Sequence, residues 1–385
     1  MRTVWYFGLE PLKARYTYQL CKEWMPKTFE PYADRVNFVD IPGEFDEDQE
    51  IKVGAVLDAI GRGKFSLTQC QHFLQRIYND EVKSGDVIFL QDYWTPGLDA
   101  IWYALDLYGI QVKVYAMLHA QSVDEYDFTY PMRGWMRHYE LGLDRRLTGI
   151  FVGSTIHKQQ LREAGFTAPI HVVSLPIHKQ ATLDKLPTWS WLEKSNVVVY
   201  SSRLDKEKNP FFMLTVAERF LETHETFEWH VTTSGKSFRS MLPGVIEAMN
   251  ELAERQPRFK LLSGLTKEQY YTELATCRIQ FNTSLQDYVS WTVIESTAFE
   301  ADIVYPNFRS FPEFIDSSRL YTPFDVDSAL QVLGNTLSAP KTHPHIVELS
   351  DLGRQMEAYI VVNDIDTEIN IWHESQYCKH LLQGK

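Results

Sequence analysis

Apolar residues fall into short runs rich in β-branched and aromatic side chains, separated by longer stretches with helical spacing. That alternation predicts parallel βα units. The runs at 3–7 (TVWYF), 86–91 (DVIFLQ), 113–118 (KVYAML), 149–154 (GIFVGS) and 171–175 (HVVSL) read as strands of one α/β domain. A second series reads as the strands of another: 197–204 (VVVYSSRL), 229–235 (WHVTTSG), 259–264 (FKLLSG), 278–284 (RIQFNTS) and 301–306 (ADIVYP). Between them KQATLDKLPTWSWLEKS (179–195) is polar, contains a proline and breaks the alternation, as a linker does. The expected division is an N-terminal Rossmann-like domain over 1–178, the linker over 179–195 and a C-terminal Rossmann-like domain over 196–365. A C-terminal helix over 366–385 is expected to cross back to the first domain. Two such domains in tandem place a cleft at the carboxyl ends of both sets of strands, where ligands bind in sheets of this kind.

Composition narrows the class. The 385 residues suffice for two domains, and 44% apolar, 14% aromatic and 23% charged residues describe a globular protein. No run approaches the ~20 apolar residues of a membrane span, so no stable membrane insertion is expected. MRTVWYFGLEPL lacks the regions of a signal peptide, so a cytoplasmic location is expected. Cys21, Cys70, Cys277 and Cys378 lie far apart with no CxxC pair, which argues against a zinc site or a disulfide scaffold. A net charge of −13 disfavours nonspecific nucleic-acid binding but leaves room for a local basic groove.

The chemistry-bearing residues of the second domain cluster after strands. In SSRLDKEKNPFF, Arg203 and Lys208 leave a strand end close enough together to reach one diphosphate; the plain alternative is a solvated charged turn. In SLQDYVSWTVIES, Ser290, Trp291 and Thr292 begin a helix whose free N–H groups can hold phosphate oxygens. Glu295 falls one turn into that helix, where a carboxylate can take both hydroxyls of a ribose. Asp287, ahead of the turn, can reach a sugar attached to the phosphate.

The order RLDKEKNP, SGLTKEQYYTELATCRIQFNTS, D-x7-E and FPEFI resembles the nucleotide-sugar domain of retaining GT-B glycosyltransferases of the large family 4 type. The motifs match over about 200–315 and the element order over nearly the whole chain. The resemblance implies an α/β GT-B fold of two Rossmann-like domains facing each other across a cleft. It implies that Arg203 and Lys208 bind the donor diphosphate, Asp287 the donor sugar and Glu295 the ribose. Three departures stand out: Asp287 where the family has Glu, Ser202 where it has Gly, and Phe299-Glu300-Ala301-Asp302 where it has small residues and Gly. In the first domain the resemblance is looser. It places the loop FGLEPLKARYTYQL, with Gly8 and Arg15, near the donor phosphates and acceptor, and His119 beside the donor sugar. A histidine at a strand end is otherwise often a hydrogen-bonded structural residue. Ser154 is expected to cap the helix in GSTIHKQQLREAG.

DID (364–366) and DVD (325–327) imitate a metal-binding DxD but lie near helices late in the chain, so no metal is expected. Gly235-Lys236-Ser237 lacks the earlier glycine of a phosphate loop, having His230 in its place. With no cofactor beyond the donor substrate, the resemblance implies a retaining, metal-independent transfer from a nucleotide diphosphosugar, expected to be UDP-linked, to a hydroxyl. His119, Arg203, Lys208 and Asp287 form the expected catalytic set. A nucleotide-sugar 2-epimerase or a non-catalytic sugar-nucleotide-binding protein are the alternatives. For the acceptor, PMRGWMRHYELGLDRR (131–146) interleaves Arg133 and Arg137 with Trp135, a pattern that suits a flipped base, and the resemblance to enzymes of this fold makes a hydroxymethylated pyrimidine in DNA one expected acceptor. The same stretch also reads as an ordinary amphipathic helix, which keeps a saccharide or lipid-linked acceptor in play.

Overall fold

The computed structural model of the protein describes residues 1–13, 15–45, 59–119, 122–127, 129–173, 179–339 and 360. Among the described residues twelve strands form two six-stranded sheets. The first contains β1 (Arg2–Phe7), β2 (Val36–Asp40), β3 (Val87–Leu90), β4 (Lys113–Met117), β5 (Gly149–Val152) and β6 (Ile170–Val172), in the order β2-β1-β3-β4-β5-β6. The second contains β7 (Val197–Tyr200), β8 (Glu228–Thr232), β9 (Phe259–Leu262), β10 (Ile279–Phe281), β11 (Asp302–Pro306) and β12 (Leu320–Tyr321), in the order β12-β11-β10-β7-β8-β9. All the pairings are parallel. Central strands such as β3, β5 and β7 are buried along their whole length, as parallel strands covered on both faces must be, which is why they read as unbroken apolar runs. β2 and β12 were not legible that way. They are edge strands: β2 is partly exposed after Val36, and β12 is two residues long.

Helices cover the sheets: α1 (Tyr16–Gln19), α2 (Met25–Phe29), α3 (Ala59–Tyr78), α4 (Leu98–Leu107), α5 (Arg133–Asp144), α6 (Thr155–Glu163) and α7 (Lys179–Leu183), then α8 (Pro210–Thr223), α9 (Val245–Arg255), α10 (Lys267–Thr276), α11 (Trp291–Ala298), α12 (Phe311–Phe314) and α13 (Val326–Ser338). A π-helical turn, Leu20–Trp24, joins α1 to α2. Local chemistry sets several of their ends. Thr266 and Gln269 form a reciprocal capping box on α10. Asp325 caps α13 through the Ser328 amide, and Asp327 pairs with Arg219 at 2.8 Å, so the first and last carboxylates of DVD serve the helix and its surface. DID lies outside the described residues. The stretch 179–195 holds α7 and buries Leu186 in a cluster with Tyr271 and Phe299 of the second domain. Ile360 is buried in a first-domain cluster and its carbonyl accepts from Arg2 at 3.4 Å, so the chain has returned to that domain by this point; 366–385 lies outside the described residues.

The two domains meet at a packed seam. Trp291 of α11 stacks on Tyr16 and Trp24, with centroids 4.6 and 5.7 Å apart. The His157 ring also stacks on Tyr288 at 3.7 Å, and the Tyr288 hydroxyl donates to Gln160 at 2.6 Å. Arg309 pairs with the fully buried Asp124 side chain at 2.7 Å. Glu313, from the FPEFI motif, accepts the Thr155 and Ile156 amides of α6 at 2.7 and 2.9 Å. A carboxylate on a helix N-terminus is favourable, so one domain caps a helix of the other. Ser154 adds the expected cap, accepting from the His157 amide at 3.3 Å. Gly153 is required here, since a Cβ on it would lie 2.7 Å from Val289. No helix among the described residues is long and apolar enough to cross a membrane.

Burial pushes the His157 imidazole down from 6.5 to about 3, and the neighbouring His119 acts in the same direction. A folded-state value below the unfolded one means that this stability is complete above 6.5 and is lost as pH falls from 6.5 towards 3. Between pH 7 and pH 5 the His157 contribution falls by about 2 kcal/mol. Denaturant unfolding at the two pH values should therefore show a His157→Phe variant losing about that much less than the wild type. Equal losses in both proteins would remove His157 as a cause.

Candidate active site

In each sheet the strand order reverses once, between β1 and β3 in the first and between β7 and β10 in the second. Ligands bind at such switch points, beyond the carboxyl ends of the strands. The chain leaving β7 runs through Ser202 and Arg203 into Lys208-Asn209-Pro210. Asn209 takes the left-handed conformation (φ 48°) and Pro210 opens α8, so the turn swings Lys208 inward. The Lys208 carbonyl is pinned by the hydroxyls of Tyr200 at 3.1 Å and Thr283 at 2.6 Å. Its side chain, 6% exposed, donates to Ser284 Oγ at 2.9 Å and the Gln286 carbonyl at 2.7 Å, and pairs with Asp287 Oδ2 at 2.9 Å. Three acceptors match the three donors of an ammonium. The loops after β7 and β10 are thus joined at Lys208 and Asp287, which the sequence placed in separate motifs.

Arg203 lies at the more open side. It is 41% exposed on its side chain and pairs with Asp205 at 2.8 Å and Glu207 at 2.6 Å. Exposed pairs of this kind are worth about 0–1 kcal/mol, so the guanidinium can exchange them for a stronger anion. Arg15 comes from the first domain: burial lowers its pKa, and the Arg203 charge pushes the same way.

On α11, Ser290 is the N-cap residue but makes no capping bond; its hydroxyl donates to Thr292 Oγ1 at 3.2 Å. Trp291 is part of the interdomain seam. Glu295, 4% exposed, accepts from Lys267 Nζ at 3.1 Å and the Tyr271 hydroxyl at 3.0 Å on Oε1, and from the Tyr270 hydroxyl at 2.9 Å on Oε2. Burial first, and the Glu295 charge second, raise both phenol pKa values, so Tyr270 and Tyr271 remain donors. A carboxylate has about four lone-pair directions; three are taken, and one on Oε2 is left for a ligand.

In the first domain, His119 donates from Nε2 to the Gln91 carbonyl at 2.8 Å, which leaves Nδ1 as an acceptor. Burial lowers its pKa, so the ring is neutral at pH 7. Gly8 ends β1 against Cys21, where a Cβ would lie 3.2 Å from the sulfur. The candidate acceptor residues of α5 are separate from this cluster in their contacts. Arg133 lies 4.2 Å over the Tyr130 ring, Arg137 donates to the Ala164 carbonyl at 3.1 Å, and Trp135, 53% exposed, meets Trp94 edge-on.

Sequence reasoning missed two groups. Lys267, Tyr270 and Tyr271 surround Glu295; their i, i+3, i+4 spacing on one helix face was the available signal. Arg62 reaches from α3 to Glu10 and Asp92, both at 3.5 Å, and to the Trp94 carbonyl at 3.2 Å, at the switch point of the first sheet. No local pattern joins residues so far apart in the chain. Among the described residues no group of three or more His, Cys, Asp or Glu side chains is placed to hold a metal ion.

No family model and no curated protein sequence matches the chain. Solved structures do match in fold. Sucrose-phosphate synthase from Thermosynechococcus elongatus superposes with a TM-score of 0.62 at 13% identity, over 100% of both chains. HepE from Anabaena, in complex with UDP and glucose, gives 0.58 at 15% identity, over 97% of this chain and 100% of that one. A TarM variant from S. aureus, in complex with fondaparinux, alpha-GlcNAc-glycerol and UDP, gives 0.52 at 13% identity. That match covers 80% of this chain, which spans 58% of the TarM chain. The shared architecture is the GT-B arrangement of two Rossmann-like domains.

Proposed function

We propose that the protein is a retaining glycosyltransferase moving a sugar from a nucleotide diphosphosugar, with UDP as the carrier, to a hydroxyl acceptor. The observation that carries this reading is the pairing of the buried Lys208 with the half-buried Asp287 at the second switch point, with Arg15 within the field of Arg203. Breaking a sugar–phosphate bond requires stabilising the charge that develops on the leaving phosphate, and fixed cations in a closed cleft do this. In this reading the diphosphate replaces Asp205 and Glu207 on Arg203 and shares the Lys208 ammonium, while the first-turn amides of α11 around Ser290, Trp291 and Thr292 take further oxygens. Asp287, partly released from Lys208, accepts a hydroxyl of the donor sugar, and the neutral His119 accepts another through Nδ1. Glu295 accepts a ribose hydroxyl through its remaining Oε2 direction. Attack on the face the phosphate leaves retains configuration, and the departing phosphate takes the acceptor's proton. UDP bound in HepE and in TarM supports the choice of carrier. A cytoplasmic setting belongs to this proposal.

The acceptor is proposed to be a saccharide hydroxyl held by the first domain. The second reading, a hydroxymethylated pyrimidine in DNA, draws on one observation: Trp135 and Arg133, a stacking ring and a cation, are both exposed on α5.

Incubation with UDP-sugars and both acceptor classes, scored for glycoside, free sugar or epimer, tests the reaction. Lys208→Ala and Glu295→Ala should each lower transfer about 30- to 1000-fold, the effect of about 2–4 kcal/mol from a lost charge-assisted contact, read on protein that keeps the wild-type circular dichroism spectrum. Near-wild-type turnover in either variant contradicts the donor-site assignment. EDTA should leave the rate unchanged, because side-chain cations and amides hold the diphosphate; complete, metal-reversible loss would contradict that part.

A further inference from the structure

Gln19 is the last residue of α1, where the chain enters the π-helical turn Leu20–Trp24. It belongs to the first domain but reaches the second: its buried Nε2 donates to the Tyr271 hydroxyl at 3.1 Å, and that hydroxyl lies 3.0 Å from Glu295 Oε1. A phenol has one hydrogen to give. With it directed at the carboxylate, the oxygen accepts from the Gln19 amide, and the chain Gln19, Tyr271, Glu295 runs in one direction across the domain boundary. The same first-domain segment places Tyr16 and Trp24 on Trp291, the first residue of the helix that carries Glu295. One short element therefore fixes both the start of α11 and the hydroxyl that aims its carboxylate. π-Helical turns of this kind are concentrated at functional positions.

We propose that Gln19 is a positioning residue for donor recognition: it orients the Tyr271 hydroxyl, and through it Glu295, only when the two domains are closed. This rests on the reading of Glu295 as the carboxylate that accepts the donor ribose. Domain separation breaks the Gln19–Tyr271 bond and the Trp291 stack together, so the open protein holds Glu295 in a looser setting and binds the ribose less well. Closure by the first domain is in this way registered at the nucleotide without contacting it.

The test compares UDP-glucose with its 2′-deoxyuridine and 3′-deoxyuridine counterparts as donors, in the wild type, Gln19→Met, Tyr271→Phe and the double variant. Met keeps the length of Gln19 without its hydrogen bonds, and Tyr271→Phe cuts the same bond from the other end if the first variant folds poorly. The wild type should prefer the ribose donor over at least one deoxy donor by about 10-fold, the effect of one hydrogen bond to a charged group. Each single variant should raise the KM for UDP-glucose about 5-fold with kcat within about 2-fold, and shrink that preference towards about 2-fold. The double variant should be no worse than Tyr271→Phe, because Gln19 acts only through the Tyr271 hydroxyl, which that variant already lacks along with its bond to Glu295. A wild-type preference that survives intact in Gln19→Met, or effects that add in the double variant, would overturn the role of Gln19 while leaving the donor reading in place. A wild type that does not distinguish ribose from either deoxyribose would overturn the reading of Glu295, and the proposal with it.

Discussion

An ammonium buried between two loops ties the segment after β7 to the segment after β10. Lys208 can lie 6% exposed only because Ser284, the Gln286 carbonyl and Asp287 supply acceptors, and these all leave β10 while Lys208 follows β7. A buried charge stripped of its partner costs about 3–5 kcal/mol, so the two loops must keep their mutual register. The left-handed Asn209, the proline that opens α8, and the Tyr200 and Thr283 hydroxyls on the Lys208 carbonyl all serve this one placement. Because β7 and β10 flank the strand-order reversal, the pair sits where the sheet opens to a ligand.

The remaining features follow from facing that point towards a second domain. Trp291, Tyr288, Arg309 and Glu313 all project from loops or short helices of the second domain onto the first. Aromatic stacking, a charged helix cap and a buried ion pair together hold the two domains in contact. Glu295 is caught in the same arrangement, with its carboxylate held by a cation and two phenols that remain protonated.

Much of this was readable from the chain, and the limits are physical. Strands buried on both faces announce themselves as apolar runs, so the central strands of both sheets were legible; β2 and β12, at the edges, carry no such run. Lys208 and Asp287 were identified by position after strands, yet their contact was not, because spacing in sequence does not report which loops meet. Trp291 could stack on a sugar or pack into protein from sequence alone; the aromatic neighbours Tyr16 and Trp24 that decide it lie more than 250 residues away. Arg62, Glu10 and Asp92 converge from three separate segments, and only the β1–β3 reversal brings them together.

A crystal structure of the UDP complex addresses the donor assignment most directly. The diphosphate is predicted to lie between Arg203 and Lys208, with Arg203 released from Asp205 and Glu207 and the ribose against Glu295. UDP bound away from these residues, or no binding at millimolar nucleotide, would contradict the assignment of this site to a nucleotide-sugar donor.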